Sequence, residues 1–213
     1  MEAYKAAGVD EICVVRGYQK ERIAFAELRY FENPEYRSNN ILASLFYAEE
    51  AMGEGFLFSY SDIVFRPEVV RQLVAREADY GLIVDRRFED VYVGRDQHPI
   101  EEAELAHVVD GRVLAVGKRV VPREQARGEF IGLARFSAKA AALMAREYRR
   151  LEAELGAERP FGRAARFGSA YLTDLLNHLI GLGEVMTSVE IEGGWREIDT
   201  TQDLERARQI VDW

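Results

Sequence analysis

The run Phe56-Leu57-Phe58-Ser59-Tyr60-Ser61-Asp62-Ile63-Val64-Phe65 limits the choice of fold more than any other stretch of this chain. Its density of apolar and aromatic residues reads as a buried strand. Pro67 soon after forces a new element, and Val69, Val70, Leu73 and Val74 lie at helical spacing along 67–77. Tyr80 to Val84 is the next buried run, ending at Asp85. Buried strands alternating with helices imply an α/β sheet, and open sheets of that kind bind ligands at the carboxyl ends of their strands. Asp62 is therefore a candidate for holding a Mg²⁺ that carries a nucleotide's phosphates. Capping the helix at Pro67 is the other use of the same carboxylate.

The rest of the chain keeps the α/β rhythm. Residues 1–7 read as a helix ended by Gly8, followed by the β-rich run Ile12 to Val15 and by a strand over Leu28 to Phe31. A helix follows Ser38-Asn39-Asn40, where Ser38 or Asn39 serves as N-cap and the cluster offers amide and backbone N–H groups to a ligand. Residues 86–104 form a charged excursion. Leu105 to Val109 and Val113 to Val116 flank Asp110-Gly111, the preferred two-residue hairpin turn. Lys118 closes the second arm, where a strand-end ammonium can meet a phosphate. Gly128 to Phe136 is a strand, Ser137 caps a helix running to Leu155, and 170–180 is a further helix. Met186 to Ile191, Gly193-Gly194 and Trp195 to Asp199 read as strand, turn and strand. A helix over 201–211, capped by Thr200 or Thr201, ends the chain.

Composition narrows the function. The formal charge of −9 argues against nucleic-acid binding, which needs basic faces to displace counterions, but leaves room for a nucleotide pocket. No run approaches the ~20 apolar residues of a membrane span. The single Cys13 sits in an apolar run, as a buried thiol would, and permits no internal disulfide. A cytoplasmic protein is expected. His98, His107 and His178 show no metal-ligand spacing, so ordinary surface or core roles are expected of them. The sequence does not fix the oligomeric state, a homo-oligomer included.

In order along the chain, several motifs resemble the sugar-nucleotidyltransferase-like superfamily. The likeness is closest to the cytidylyltransferases acting on choline phosphate, aminoethylphosphonate and related substrates. They are Ala6-Ala7-Gly8-Val9-Asp10-Glu11-Ile12, Ser38-Asn39-Asn40-Ile41-Leu42-Ala43-Ser44-Leu45, Ser61-Asp62-Ile63-Val64-Phe65 and Tyr92-Val93-Gly94-Arg95. Val116-Gly117-Lys118, Gly128-Glu129-Phe130-Ile131-Gly132 and Trp195-Arg196-Glu197-Ile198-Asp199-Thr200 complete them. The resemblance implies a Rossmann-like three-layer fold with a mixed sheet. It also implies Mg²⁺-dependent transfer of CMP from CTP to a small phosphate or phosphonate, with release of pyrophosphate. On this likeness Asp62 and Asp199 are the metal ligands, Lys118 neutralises the acceptor phosphate, and Ser38, Asn39 and Asn40 read base and ribose. Tyr171 and Asp174, three apart on one helix, are nominated for an aminoalkyl head group, with Asp85 as competitor.

The likeness has one gap. The superfamily's glycine-rich loop with its Arg, its following Pro-Lys and its first strand have no counterpart in these residues. One nucleotidyltransferase-like domain spanning 1–213, truncated at its N-terminus, is the expectation, and with it very weak or no transfer by the chain as it stands. Two alternatives remain open: a sugar-1-phosphate nucleotidyltransferase, and a non-catalytic nucleotide-binding domain.

Overall fold

A computed structural model describes residues 1–209 of the chain. The helices and strands follow in this order: α1 (Glu2–Lys5), β1 (Cys13–Arg16), β2 (Arg29–Glu32), α2 (Ile41–Phe46), β3 (Gly55–Ser59), β4 (Ile63–Phe65) and α3 (Pro67–Val74). Next come β5 (Tyr80–Asp85), α4 (Glu89–Tyr92), β6 (Glu104–Val109), β7 (Arg112–Lys118), β8 (Gly128–Ser137) and α5 (Ala138–Leu155). The last are α6 (Leu172–Gly181), β9 (Met186–Ile191), β10 (Trp195–Glu197) and α7 (Thr201–Arg208). The expected end of α7 at Val211 lies outside the described residues. No helix among those described is long and apolar enough to cross a membrane.

The chain divides into two compact units. Of the described residues, one comprises Glu2–Gly8, Leu57–Phe136 and 185–209. Its centre is a six-stranded mixed sheet in the order β3-β8-β5-β9-β7-β6. β5 runs parallel to β9 and antiparallel to β8, and β7 is antiparallel to both β9 and β6. Every residue of β5 is buried, because it has a strand on either side and α3 packs against it. Burying Leu82, Ile83 and Val84 contributes about 1.5–3 kcal/mol each. Val69, Val70 and Leu73 of α3 join Ile83, Ile131, Leu133 and Trp195 in one core. The hairpin of β6 and β7 turns at Asp110 (φ 49°) and Gly111 (φ 74°), the conformation for which Asp-Gly is selected.

The long apolar run around Asp62 is not one strand. It breaks after Ser59 into β3 and β4, and β4 leaves the sheet to pair with β10 in a separate antiparallel ribbon. Tyr60 closes this break: its backbone N–H donates to Gly132 O at 2.9 Å, and its ring lies where any side chain at residue 132 would have to go. Gly132 also has φ 77°, so glycine is required there twice over.

The other unit comprises Met1, Val9–Phe56 and Ser137–Glu184. β1 and β2 pair in parallel. Cys13 in β1 is half-buried rather than buried, because this two-stranded ribbon has no further strand to cover it, and burial pushes its thiol pKa up. α5 is capped as expected, with Ala140 N–H donating to Ser137 Oγ at 3.1 Å. Its Tyr148 stacks on Phe46 with ring centroids 3.9 Å apart. Leu42, Met144, Leu151, Leu172, Leu175 and Leu176 are buried with it.

Candidate active site

The ribbon of β4 and β10 pairs Ile63 with Glu197, and Ile198 N–H donates to the Asp62 carbonyl at 2.7 Å. Asp62, just before β4, and Asp199, just past β10, therefore stand beside each other although they come from distant parts of the sequence. Burial, chiefly, raises the pKa of Asp62, and the charge of Asp199 acts in the same direction. Lys118, at the end of β7, and His98 oppose that rise. The three residues expected to carry the chemistry, Asp62, Asp199 and Lys118, thus share one electrostatic neighbourhood within one unit. Capping of α3 is not the role of Asp62: the N-cap residue is Arg66, whose side chain makes no capping hydrogen bond.

The structure adds four residues to this group. Arg95 is buried, with Nε 2.7 Å from Asp203 Oδ1, Nη2 3.0 Å from Asp203 Oδ2 and Nη1 3.0 Å from Glu197 Oε2. Its Nη2 also stands 3.5 Å from Asp199 Oδ2. Burial alone would ease loss of the guanidinium proton, but Asp203 and Glu197 outweigh it and raise the Arg95 pKa. Asp203 in turn accepts from the backbone N–H and hydroxyl of Thr200, at 3.0 and 2.8 Å, and so starts α7. Burial, then the charge of Asp199, pushes Glu197 up to about 6 against the pull of Arg95. His98 completes the set, with Nδ1 2.7 Å from Asp199 Oδ2 and Nε2 3.8 Å from Glu197 Oε2. Its pKa is lowered, first by burial and then by Arg95.

This donor set fits a divalent cation. Mutually repelling carboxylates on neighbouring backbone segments are relieved by a hard cation that prefers oxygen ligands. Among the described residues, His98, Glu197 and Asp199 each bring one ligand atom to within 4.8 Å of the others.

Other candidates have structural partners. Asp85 is fully buried and accepts from Trp195 Nε1 at 2.7 Å, Gly193 N–H at 2.9 Å and Arg87 N–H at 2.9 Å. Its carboxylate fixes the turn that launches β10, so it does not present itself to a head group. Asp174 accepts from the backbone N–H of Arg163 at 2.8 Å and of Tyr171 at 2.9 Å. It is buried and starts α6, while Tyr171 is the exposed N-cap residue. Asn40, not Ser38 or Asn39, caps α2, accepting from Ile41 N–H at 2.8 Å. Asn39 instead exchanges amide hydrogen bonds with buried Asn33, at 2.7 and 3.2 Å. Ser38 donates to Glu35 O at 3.0 Å, and its carbonyl accepts from Arg166 at 3.0 Å. Asn40 N–H donates to Gly168 O at 3.0 Å, so residues 38–42 and 166–174 adjoin within their own unit.

Arg95 had a signal in the sequence, the Val93-Gly94-Arg95 motif. His98, expected in an ordinary role, had none: a single imidazole in a charged loop carries no spacing to read. Glu129 also went unread. It is buried at the start of β8, accepts from Tyr92 OH at 2.8 Å, and is pushed by burial up to about 8.

The mixed α/β sheet and its ribbon thus present carboxylates at two adjoining strand ends, within the electrostatic reach of a Lys. The relatives of this chain, by sequence and by fold, are nucleotidyltransferases. It is 28% identical over 216 residues to a CTP:phosphoglutamine cytidylyltransferase of Campylobacter jejuni, a match covering 96% of this chain and 83% of that one. Among solved structures, the inositol-1-phosphate CTP transferase of T. maritima superposes with a TM-score of 0.68 at 17% identity, over 100% of this chain and 84% of that one. The CTP:phosphocholine cytidylyltransferase of Streptococcus pneumoniae superposes with a TM-score of 0.64 at 18% identity, over 99% and 82%. At such identities the superpositions establish the fold, which is the Rossmann-like fold expected from the sequence. No family model matches the chain.

Proposed function

We propose that this chain is a Mg²⁺-dependent cytidylyltransferase that joins CMP to a small phosphate monoester or phosphonate. Acceptors of the phosphoglutamine, choline phosphate or 2-aminoethylphosphonate kind fit the reading, which also assigns the protein to the cytoplasm. An acceptor oxygen attacks the α-phosphorus of CTP. The bond from that phosphorus to the bridging oxygen breaks, and pyrophosphate leaves. Such a transfer asks a protein for positioning and charge neutralisation more than for covalent chemistry. The observation that carries the proposal is the meeting of Asp62, Asp199 and Lys118 in one neighbourhood.

Asp62 and Asp199 would hold the cation, which when bound polarises the α-phosphate. Lys118 supplies a positive charge at the end of β7 for the acceptor phosphate. Arg95 touches neither substrate. It fixes Glu197, Asp203 and, more loosely, Asp199, so that the ribbon end keeps its shape whether or not the cation is present. Ser38, Asn39 and Asn40 are assigned to the nucleoside, through exposed edges of a segment whose inner polar groups are held by the protein. Tyr171 remains the aromatic candidate for an acceptor head group.

Pyrophosphate release, with CTP, UTP, ATP and GTP each offered against phosphorylated acceptors, tests the reading. Release confined to CTP with a phosphate or phosphonate acceptor supports it. A preference for another nucleotide with a sugar 1-phosphate would replace it with the sugar-nucleotide alternative.

A further inference from the structure

We propose that His98 is itself a ligand of the catalytic cation, so that the site holds Mn²⁺ or Co²⁺ more tightly than its carboxylates alone would. This rests on the reading that Asp62 and Asp199 hold a cation. Ligands in neighbouring positions of an octahedral ion, each ~2.1 Å from it, stand ~3 Å apart. His98 Nδ1 and Asp199 Oδ2 are 2.7 Å apart, close to that spacing. The other ring nitrogen, Nε2, stands 3.8 Å from Glu197 Oε2, beyond hydrogen-bond length in the present geometry. A metal-bound imidazole ordinarily directs its second nitrogen at a carboxylate, which fixes the tautomer and the ring. Glu197 is near enough to take that place, and the same Oε2 accepts from Arg95 Nη1 at 3.0 Å.

The ring has little freedom to leave. Its side chain is 16% exposed, and it lies against Tyr92 with ring centroids 6.4 Å apart. Charge also favours a dication. The carboxylates of Asp62, Glu197, Asp199 and Asp203 outnumber the cations Arg95 and Lys118 around them. Oxygen-only sites suit Mg²⁺, whereas an imidazole nitrogen shifts preference along the divalent series toward Mn²⁺, Co²⁺ and Zn²⁺.

The test is direct detection of nitrogen on bound Mn²⁺. Electron-spin-echo modulation of the full chain loaded with one equivalent of Mn²⁺ should show coupling to an imidazole ¹⁴N. That coupling should vanish in His98→Gln. In titrations, His98→Gln should bind Mn²⁺ about tenfold more weakly or worse while its Mg²⁺ affinity changes less than about threefold. Mn²⁺ bound without nitrogen coupling in the unaltered protein would overturn the inference and make His98 a hydrogen-bond partner of Asp199 only. In that case loss of Mn²⁺ binding in Asp62→Asn and Asp199→Asn would leave the two-carboxylate reading intact. Mn²⁺ binding that survives all three substitutions would remove both.

Discussion

Replacing Arg95 with Gln should be among the most damaging single changes in the ribbon-bearing unit. The guanidinium is buried, with a side chain 1% exposed, and it meets Asp203 through two hydrogen bonds and Glu197 through a third. Gln retains part of the volume but leaves Asp203, itself 3% exposed, without its counter-charge. Breaking a buried pair from one side costs about 3–5 kcal/mol, against under 1 kcal/mol for an exposed pair. For a chain of this size that corresponds to a melting temperature lower by about 6–20 °C. Urea unfolding followed by tryptophan fluorescence reads the change, since Trp195 is buried in the same unit. The gap should also depend on pH. Burial acts to raise Asp203, but its bonds to Arg95 and Thr200 prevail and hold it below its usual value. A depressed carboxylate contributes its stability above the unfolded pKa and loses it as pH falls through the folded one. The difference between the two proteins should therefore narrow below about pH 4. A loss under about 1 kcal/mol near neutral pH would refute the reasoning, since it would mean that Arg95 acts as an exposed ion pair does.

Glu129, raised from 4.5 to about 8, contributes stability fully below the unfolded value and loses it as pH rises through the folded one. Between about pH 5 and 8 the unaltered chain should lose on the order of 1 kcal/mol per pH unit that Glu129→Gln does not lose, as denaturation at several pH values will record. Gly132→Ala puts a Cβ against the Tyr60 ring at a positive φ and should destabilise by about 2 kcal/mol or more, measured by thermal melting. Asp62→Asn removes a carboxylate that burial and Asp199 disfavour, so the metal-free protein should melt no lower than the unaltered one. The same variant should lose the rise in melting temperature that saturating Mg²⁺ gives the unaltered chain.

Much of the sheet could be read from the sequence because its signals are local. The Asp110-Gly111 turn, the buried run of β5 and the Ser137 cap each depend on a few adjacent residues, and each lies where expected. The division of 56–65 into β3 and β4 was hidden, because Tyr60 and Ser61 are compatible with a strand. What breaks the run is Gly132, far along the chain. The proposed metal carboxylates, Asp62 and Asp199, were legible through strand-end position and resemblance. The network behind them was not, because Arg95, His98, Glu197 and Asp203 meet only when the ribbon pairs. Asp85 and Asp174 show the converse. A carboxylate at a strand end or in a helix's first turn looks available in sequence, yet both are held by backbone and indole donors within the fold. Nothing in residue type distinguishes a carboxylate that waits for a ligand from one that holds a turn.

The central claim is that the chain joins CMP to a phosphorylated acceptor at the Asp62–Asp199 site. Incubating the protein, at a concentration comparable to that of CTP so that slow transfer registers, with Mg²⁺ and phosphate or phosphonate acceptors tests it most directly. ³¹P NMR should show a new diphosphate linkage between CMP and the acceptor, with matching pyrophosphate, and neither in Asp62→Asn or Asp199→Asn. CTP that binds equally well to both variants and to the unaltered protein, and that is never consumed, would contradict the account and mark the chain as a nucleotide-binding domain without transfer chemistry.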